Sequence, residues 1–421
     1  MTDLNVYWDS SLVGHLSSTT SRDMSFQYAG SYLTSGFARQ ISLSMPLQEA
    51  PFTGIIPKAW FANLLPEGEI RGHVARELGV SARNEFAMLK GIGGDCAGAL
   101  RLLSETAPHE DDGRLIPLPW PELEATILST PRPSLMALVI RDGDLRLSLA
   151  GAQDKLPVHY SEGELALPSG GAASTHLLKI SSGGFPDLVQ NELFCLTLAR
   201  AVGLTVPHAE PAPTRTPILL IERYDRVLDM DGTVTRRHQE DFCQASGLPP
   251  EVKYENEGGP SLADLFKILA RGSVSPLPDK RDFLTWVIFN FIIGNTDAHA
   301  KNISFMLGGT DDDMEPRLAP FYDLVCTAVY KSLSRKQAQP IGGEYRPLFI
   351  RRRHWDRLAA SIDVKPGYLR TVGLGLCDKV EERATRLAAE IGDTCSGIET
   401  LGAITRVIEE RIGRFRAASC E

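Results

Sequence analysis

Phe291-Ile-Ile-Gly-Asn-Thr-Asp-Ala-His-Ala-Lys-Asn302 is the stretch on which the reading turns. The apolar run from Phe283 to Ile293 predicts a buried helix, and Gly294 stops it. A polar loop follows at once, with Asp297 and Asn302 five residues apart. Phosphoryl-transfer loops use that spacing: an Asp accepts the proton of the acceptor hydroxyl, and an Asn five positions on binds a metal. A rigid helix end would hold the carboxylate beside the attacking oxygen. Asp323, in Phe321-Tyr-Asp-Leu-Val325, lies twenty-one residues beyond Asn302 on a segment that reads as strand-like. Mg²⁺ takes oxygen ligands and needs only one or two carboxylates beside phosphate oxygens, a set that Asp323 and Asn302 would supply. Either motif alone reads equally well as a helix cap or turn. Their order and spacing favour the metal and nucleotide reading.

Upstream, Lys179 falls inside the apolar strand expected over Thr175 to Ile180, where an ammonium is costly unless paired. The helix expected over Leu188 to Val202, stopped by Gly203, offers Glu192 as partner. The bland alternative is an edge-strand lysine reaching solvent. Ser148-Leu-Ala-Gly-Ala-Gln-Asp-Lys155 follows an alternating strand, Leu145 to Leu149, with little side-chain bulk. Its backbone amides could approach phosphates closely, although it is neither G-x-G-x-x-G nor a Walker sequence. The Gly91 to Ala99 stretch reads as tight turns.

With 421 residues the chain should hold two or three domains. A net charge of −9 disfavours coating nucleic acid by bulk electrostatics. The seven cysteines are scattered without a Cys-x-x-Cys pair, which fits free thiols in a reducing compartment better than disulfides or a zinc site. No apolar leader opens the sequence, and its longest apolar run is about half the ~20 residues of a membrane span. A cytoplasmic protein without a structural metal is expected.

Short strands are expected in the first fifty residues, at Met24–Tyr28 and Ile41–Met45, then a helix from Trp60 to Glu77 and another near Ser81 to Leu89. Segment 104–118 reads as an exposed loop, Ile218–Tyr224 as a strand, and Asp231-Gly232 as a hairpin turn. From about residue 260 the chain reads as helical. Val380, Ala384, Leu387 and Ile391 form one apolar stripe; Ile404, Val407, Ile408 and Ile412 form another.

Taken together these motifs resemble the HipA family of serine/threonine kinases, the toxins of bacterial type II toxin–antitoxin pairs. The resemblance runs through Phe61–Arg71, Gly93–Leu100, Ser148–Lys155, Arg223–Arg226, His238–Cys243 and the loops at 294–302 and 321–325. It implies an α+β, two-lobed, protein-kinase-like fold: an extra β-rich N-terminal subdomain (1–105), a β-rich nucleotide-binding lobe (106–225) and an all-helical C-terminal lobe (226–421). ATP and Mg²⁺ are the implied cofactors. Asp297 would be the catalytic base, Asn302 and Asp323 the metal ligands, and Lys179, paired by Glu192, the phosphate-binding lysine. Gly151, Ala152 and Gln153 would lie against the phosphates, and Glu222 and Tyr224 at the hinge beside adenine. Gln239 and His299 would line the nucleotide site, and Ser148 would be autophosphorylated in trans.

The family also implies growth arrest through a phosphorylated protein target, glutamyl-tRNA synthetase in some members. The implied partner is a small HipB-like helix-turn-helix antitoxin, with operator DNA met through it and no membrane. Asn295-Thr296 stands where eukaryotic-type kinases have His-Arg, and Asp323 lacks the glycine of Asp-Phe-Gly. Both departures argue against control by activation-loop phosphorylation. Arg351-Arg-Arg-His354 reads as a solvated basic run before a DNA-touching patch. Two other readings keep the fold: a catalytically idle corepressor, which would not consume ATP, and a small-molecule kinase.

Overall fold

Alternating apolar and polar residues build the N-terminal sheet from β1 (Thr2–Trp8), β2 (Ser11–Ser18), β3 (Met24–Tyr28) and β4 (Leu100–Ser104), antiparallel in the order β3-β2-β1-β4. Leu4, Val6 and Trp8 share the buried face. The structure, a computed structural model, describes residues 2–19, 23–104, 113–129, 135, 155–181, 184–230, 232–308, 315–394 and 397–421. The helix expected over Trp60–Glu77 is two helices, Ile55–Ala62 and Gly68–Glu77. Pro66 between them has no N–H to continue the ladder, and its ring clashes with the preceding turn. The helix expected from Ser81 begins at Glu85, capped by the Asn84 side chain. Ile41–Met45 is no strand but a tight turn, in which the Tyr28 hydroxyl accepts from the Ile41 N–H and donates to the Met45 carbonyl.

A second sheet holds β5 (Arg114–Pro117), β6 (Lys155–Ser161), β7 (Glu164–Ser169), β8 (His176–Ile180), β9 (Ala209–Pro211) and β10 (Ile218–Glu222) in the order β5-β7-β6-β8-β10-β9. β5 corrects the loop expected over 104–118; it is an exposed edge strand paired with β7, so its burial pattern carries no signal. The strand expected over Leu145–Leu149 lies outside the described residues. The Leu188–Val202 helix ends as expected at Gly203, in the left-handed region at φ 101°. It packs against the long helices Pro366–Thr394 and Ile398–Cys420 and shares their apolar core.

The C-terminal region is not all helical. β11 (Arg226–Leu228) and β12 (Val234–Arg236) form the hairpin expected around Gly232, although Asp231 lies outside the described residues. β13 (His238–Asp241), β14 (Ser304–Gly308) and β15 (Arg317–Leu318) form a further sheet in the order β13-β14-β15. β14 is buried along its whole length, so it shows no period-two alternation to betray a strand. Helices Leu262–Gly272 and Pro276–Ile293 pack against the β15 side of this sheet, and Phe266 stacks on Phe283, which meets Phe242 edge-on. Among the described cysteines all are free, and no described helix is long and apolar enough to cross a membrane.

The N-terminal subdomain is fastened to β13 through Glu240. Its buried carboxylate accepts from Ser42 Oγ at 2.6 Å, the Leu43 N–H at 2.8 Å and Trp60 Nε1 at 3.1 Å. Burial outweighs these donors and pushes the carboxyl up to about 7. The folded protein therefore keeps a proton that the unfolded chain has already released. Stability from this group is full below the unfolded carboxylate range and is lost as pH rises through about 7. Urea denaturation between pH 5 and 8 should show wild type losing about 2 kcal/mol more than Glu240→Gln. Parallel profiles would exclude Glu240 as the titrating group.

Candidate functional site

Between the β5–β10 sheet and the helical region opens a cleft of about 1520 Å³. Small-ligand pockets span about 300–1,000 Å³, so this one has room for a nucleotide and part of a second molecule. The described candidates Lys179, Glu192, Glu222, Tyr224, Gln239, Asp297, His299, Asn302 and Asp323 all line it. Ser148, Gly151, Ala152 and Gln153 lie outside the described residues.

On the sheet side, Lys179 is buried and its Nζ lies 2.6 Å from both Glu192 Oε1 and Asp323 Oδ1. Burial disfavours the ammonium, but the two carboxylates outweigh it and hold the lysine protonated. Burial likewise acts against the Asp323 carboxylate, and Lys179 and Lys155 reverse it, lowering the group to about 2. Asp323 remains partly open to the cleft, and its backbone sits at φ 52°. Left-handed backbone is uncommon outside glycine and turns up where a side chain must be presented in one direction. The segment 321–325 is accordingly not the strand its sequence suggests. Lys155 faces Lys179 across the β6–β8 register, and burial lowers its amine to about 8.

Across the cleft, the helix Pro276–Ile293 ends on Gly294 at φ 74°. A Cβ there would sit 2.7 Å from Val407 Cγ1 and 3.0 Å from Ala328 Cβ, so glycine is required on both counts. Asn295 then fixes the loop: its side-chain oxygen accepts from the Asp297 N–H at 3.0 Å, and its amide donates to Asn290 Oδ1 at 2.8 Å. Asn302 Nδ2 donates to the Asp297 carbonyl at 3.0 Å. The Asp297 carboxylate is accessible at the cleft mouth yet crowded by protein, and desolvation raises it from its ordinary value. His299 is buried beside Lys253 and Lys301, which keeps its imidazole neutral, and its Nδ1 has no partner among the described residues.

Just past β10, Tyr224 stacks on Tyr322 with centroids 5.9 Å apart, and its hydroxyl donates to Gln239 Oε1. Gln239 Nε2 in turn donates to Asp225 Oδ2 at 3.0 Å. Asp225 also receives the Gly98 N–H at 2.7 Å and both Arg223 Nε and Nη2. Asp95 completes the network with Arg226 Nη2 at 2.6 Å, Ser174 Oγ at 2.5 Å and Arg223 Nη1 at 3.3 Å. Of the glycines in 91–99, Gly98 is the one that lets the backbone approach this network, while Gly91 and Gly93 pack against Leu78 and Leu102. A Cβ on Gly98 would meet His238 Nδ1 at 2.8 Å. Asp95, Asp225, Glu67 and Asn295 lie within the Gly93–Leu100, Arg223–Arg226, Phe61–Arg71 and 294–302 motifs, but spacing gives none of them an individual role, and Lys253 and Tyr254 carry no motif at all.

Residues 4–103 match the HipA N-terminal domain, and residues 147–395 match the HipA-like C-terminal domain. The second match alone covers more than half the chain. The chain belongs to the HipA family. Within it, the chain is 40% identical over 394 residues to the Sinorhizobium fredii protein named "Putative kinase Y4mE", covering 93% of each. It is 32% identical over 394 residues to the Shewanella oneidensis serine/threonine-protein kinase toxin HipA, covering 90% of this chain and 87% of that one. A solved Shewanella oneidensis complex of HipA, HipB and operator DNA superposes with a TM-score of 0.83 at 27% identity, over 98% of this chain and 96% of that one. The α+β kinase-like fold of HipA proteins is thus the fold of this chain.

Proposed function

We propose that this protein transfers the γ-phosphate of ATP to a serine or threonine of a protein target, and that growth arrest follows. The observation that carries the reading is the Lys179 ammonium clamped between Glu192 and Asp323, facing Asp297 and Asn302 across one cleft. A lysine fixed by a helix glutamate is placed to grip phosphates, and the opposite wall offers a carboxylate for the acceptor hydroxyl. Asn302 and Asp323 are oxygen donors only, which suits Mg²⁺; the ion would draw charge off the phosphates when bound. Glu222 and Tyr224 would meet the adenine, and Gln239 and the neutral His299 would line the nucleotide. A HipB-like antitoxin is the expected partner, since the superposable HipA is solved with HipB and operator DNA. An aminoacyl-tRNA synthetase or another translation factor is the target class, and the cytoplasm the site of action. Ser148 would take phosphate in trans, and its added charge would turn the enzyme off.

Incubation with γ-labelled ATP and host lysate should label discrete protein bands and Ser148, in reactions that stop when EDTA removes Mg²⁺. Labelling that persists in EDTA, or none with Mg²⁺ restored, would count against this reading.

A further inference from the structure

The Tyr254 hydroxyl donates to Asp297 Oδ1 at 2.7 Å. That is the distance and the donor an acceptor hydroxyl needs toward its base, about 2.6–3.2 Å. We propose that Tyr254 fills the acceptor-hydroxyl position, so that a protein substrate binds by displacing it while water is kept out. This rests on Asp297 being the base.

The tyrosine is delivered by a built loop. Pro250–Val252 and Glu255–Glu257 are single 3₁₀ turns, and Gly258 closes the second at φ 97°. Gly259 donates its N–H to the Tyr254 carbonyl, and a Cβ there would lie 2.6 Å from the Val252 carbonyl oxygen, so only glycine fits. Next to Tyr254, Lys253 Nζ pairs with Glu67 Oε2 at 2.7 Å, latching the loop to the N-terminal subdomain. The Tyr254 ring rests edge-on against His299, with centroids 5.3 Å apart. Tyr254 is only partly buried, so its ring can leave without opening the core.

Selectivity follows from tethering. A serine or threonine hydroxyl replaces one O–H···carboxylate bond by another, so displacement needs only the modest binding energy a protein supplies through remote contacts. Water has no remote contacts and competes against a phenol held at high local concentration. In either reaction the acceptor oxygen bonds the γ-phosphorus and its proton passes to Asp297. The bond to the β–γ bridging oxygen breaks, and ADP leaves.

The test compares wild type, Tyr254→Phe and Glu67→Gln in ATP hydrolysis without acceptor and in transfer to dephosphorylated casein. Tyr254→Phe keeps the ring and removes the competing hydroxyl. It should raise acceptor-free hydrolysis about tenfold and lower KM for casein, with casein kcat and ATP affinity unchanged. Glu67→Gln should move both in the same direction by less. If casein kcat falls instead, Tyr254 orients Asp297 and the displacement idea is overturned. An active wild type with unchanged variants overturns it equally. No turnover in any of the three would bring down the phosphoryl-transfer reading, and this subsite with it.

Discussion

Asp297→Asn should lower phosphoryl transfer by about three orders of magnitude while the protein folds as before. General-base contributions span about 10²–10⁴-fold, and an amide cannot take the acceptor proton. The side chain is exposed in the cleft and its side-chain partner is the Tyr254 hydroxyl, so its replacement leaves no buried charge behind among the described residues. Lys179→Met should differ in kind. It abolishes transfer and also strands Glu192, which is 1% exposed, without its cation. Breaking a buried pair from one side costs about 3–5 kcal/mol. Adding Glu192→Gln should recover much of that stability and none of the activity. Asp323→Asn should fall between, since Lys179 keeps Glu192 at 2.6 Å while the proposed Mg²⁺ site would lose its one carboxylate. Labelled-phosphate transfer and urea denaturation on the four proteins separate the cases. Wild-type activity in folded Asp297→Asn would remove the assignment of the base.

The difference between these variants also explains what could be read in advance. Asp297 and Asn302 were legible because they share one loop behind one helix, and Gly294 announced where that loop begins. The pairing of Lys179 with Glu192 was legible because a charged residue in a buried strand demands a partner, and the next helix supplied one. The second partner, Asp323, sits 144 residues from Lys179 and was foreseen only as a metal ligand. Its left-handed backbone leaves no pattern in an apolar segment that reads as a strand. β14 escaped for a related reason: a strand buried on both faces has lost the alternation that marks strands. The expectation that residues 148–153 approach phosphates rests on their small side chains alone, and those residues lie outside the described ones. What sequence periodicity reports is the local face of an element. Contacts between distant charges have no periodicity at all.

The network around Asp95 and Asp225 is the strongest case of such distant contacts, and it yields the second large effect. Asp95, in the N-terminal subdomain, is 2% exposed and serves Arg226, Arg223 and the Ser174 hydroxyl at once. Burial alone would raise its carboxyl, yet the three arginines around it, with Arg226 foremost, hold it well below the usual range. Asp95→Asn leaves two buried guanidinium groups sharing the single carboxylate of Asp225, and should cost about 3–5 kcal/mol. Arg236→Gln is the control: its Nε is 3.6 Å from Asp95, beyond hydrogen-bond reach, and its loss should be much smaller. The effect should reach the cleft, because Asp225 also accepts from the Gln239 amide and from the Gly98 N–H. Asp95→Asn is therefore expected to speed hydrogen exchange along Leu100–Ser104 and weaken ATP affinity, with the Lys179 clamp intact. Urea denaturation, amide exchange and ATP titration read these three effects separately. Stability within about 0.5 kcal/mol of wild type would mean that the N-terminal subdomain is held by its apolar contacts and by Glu240, not by this network.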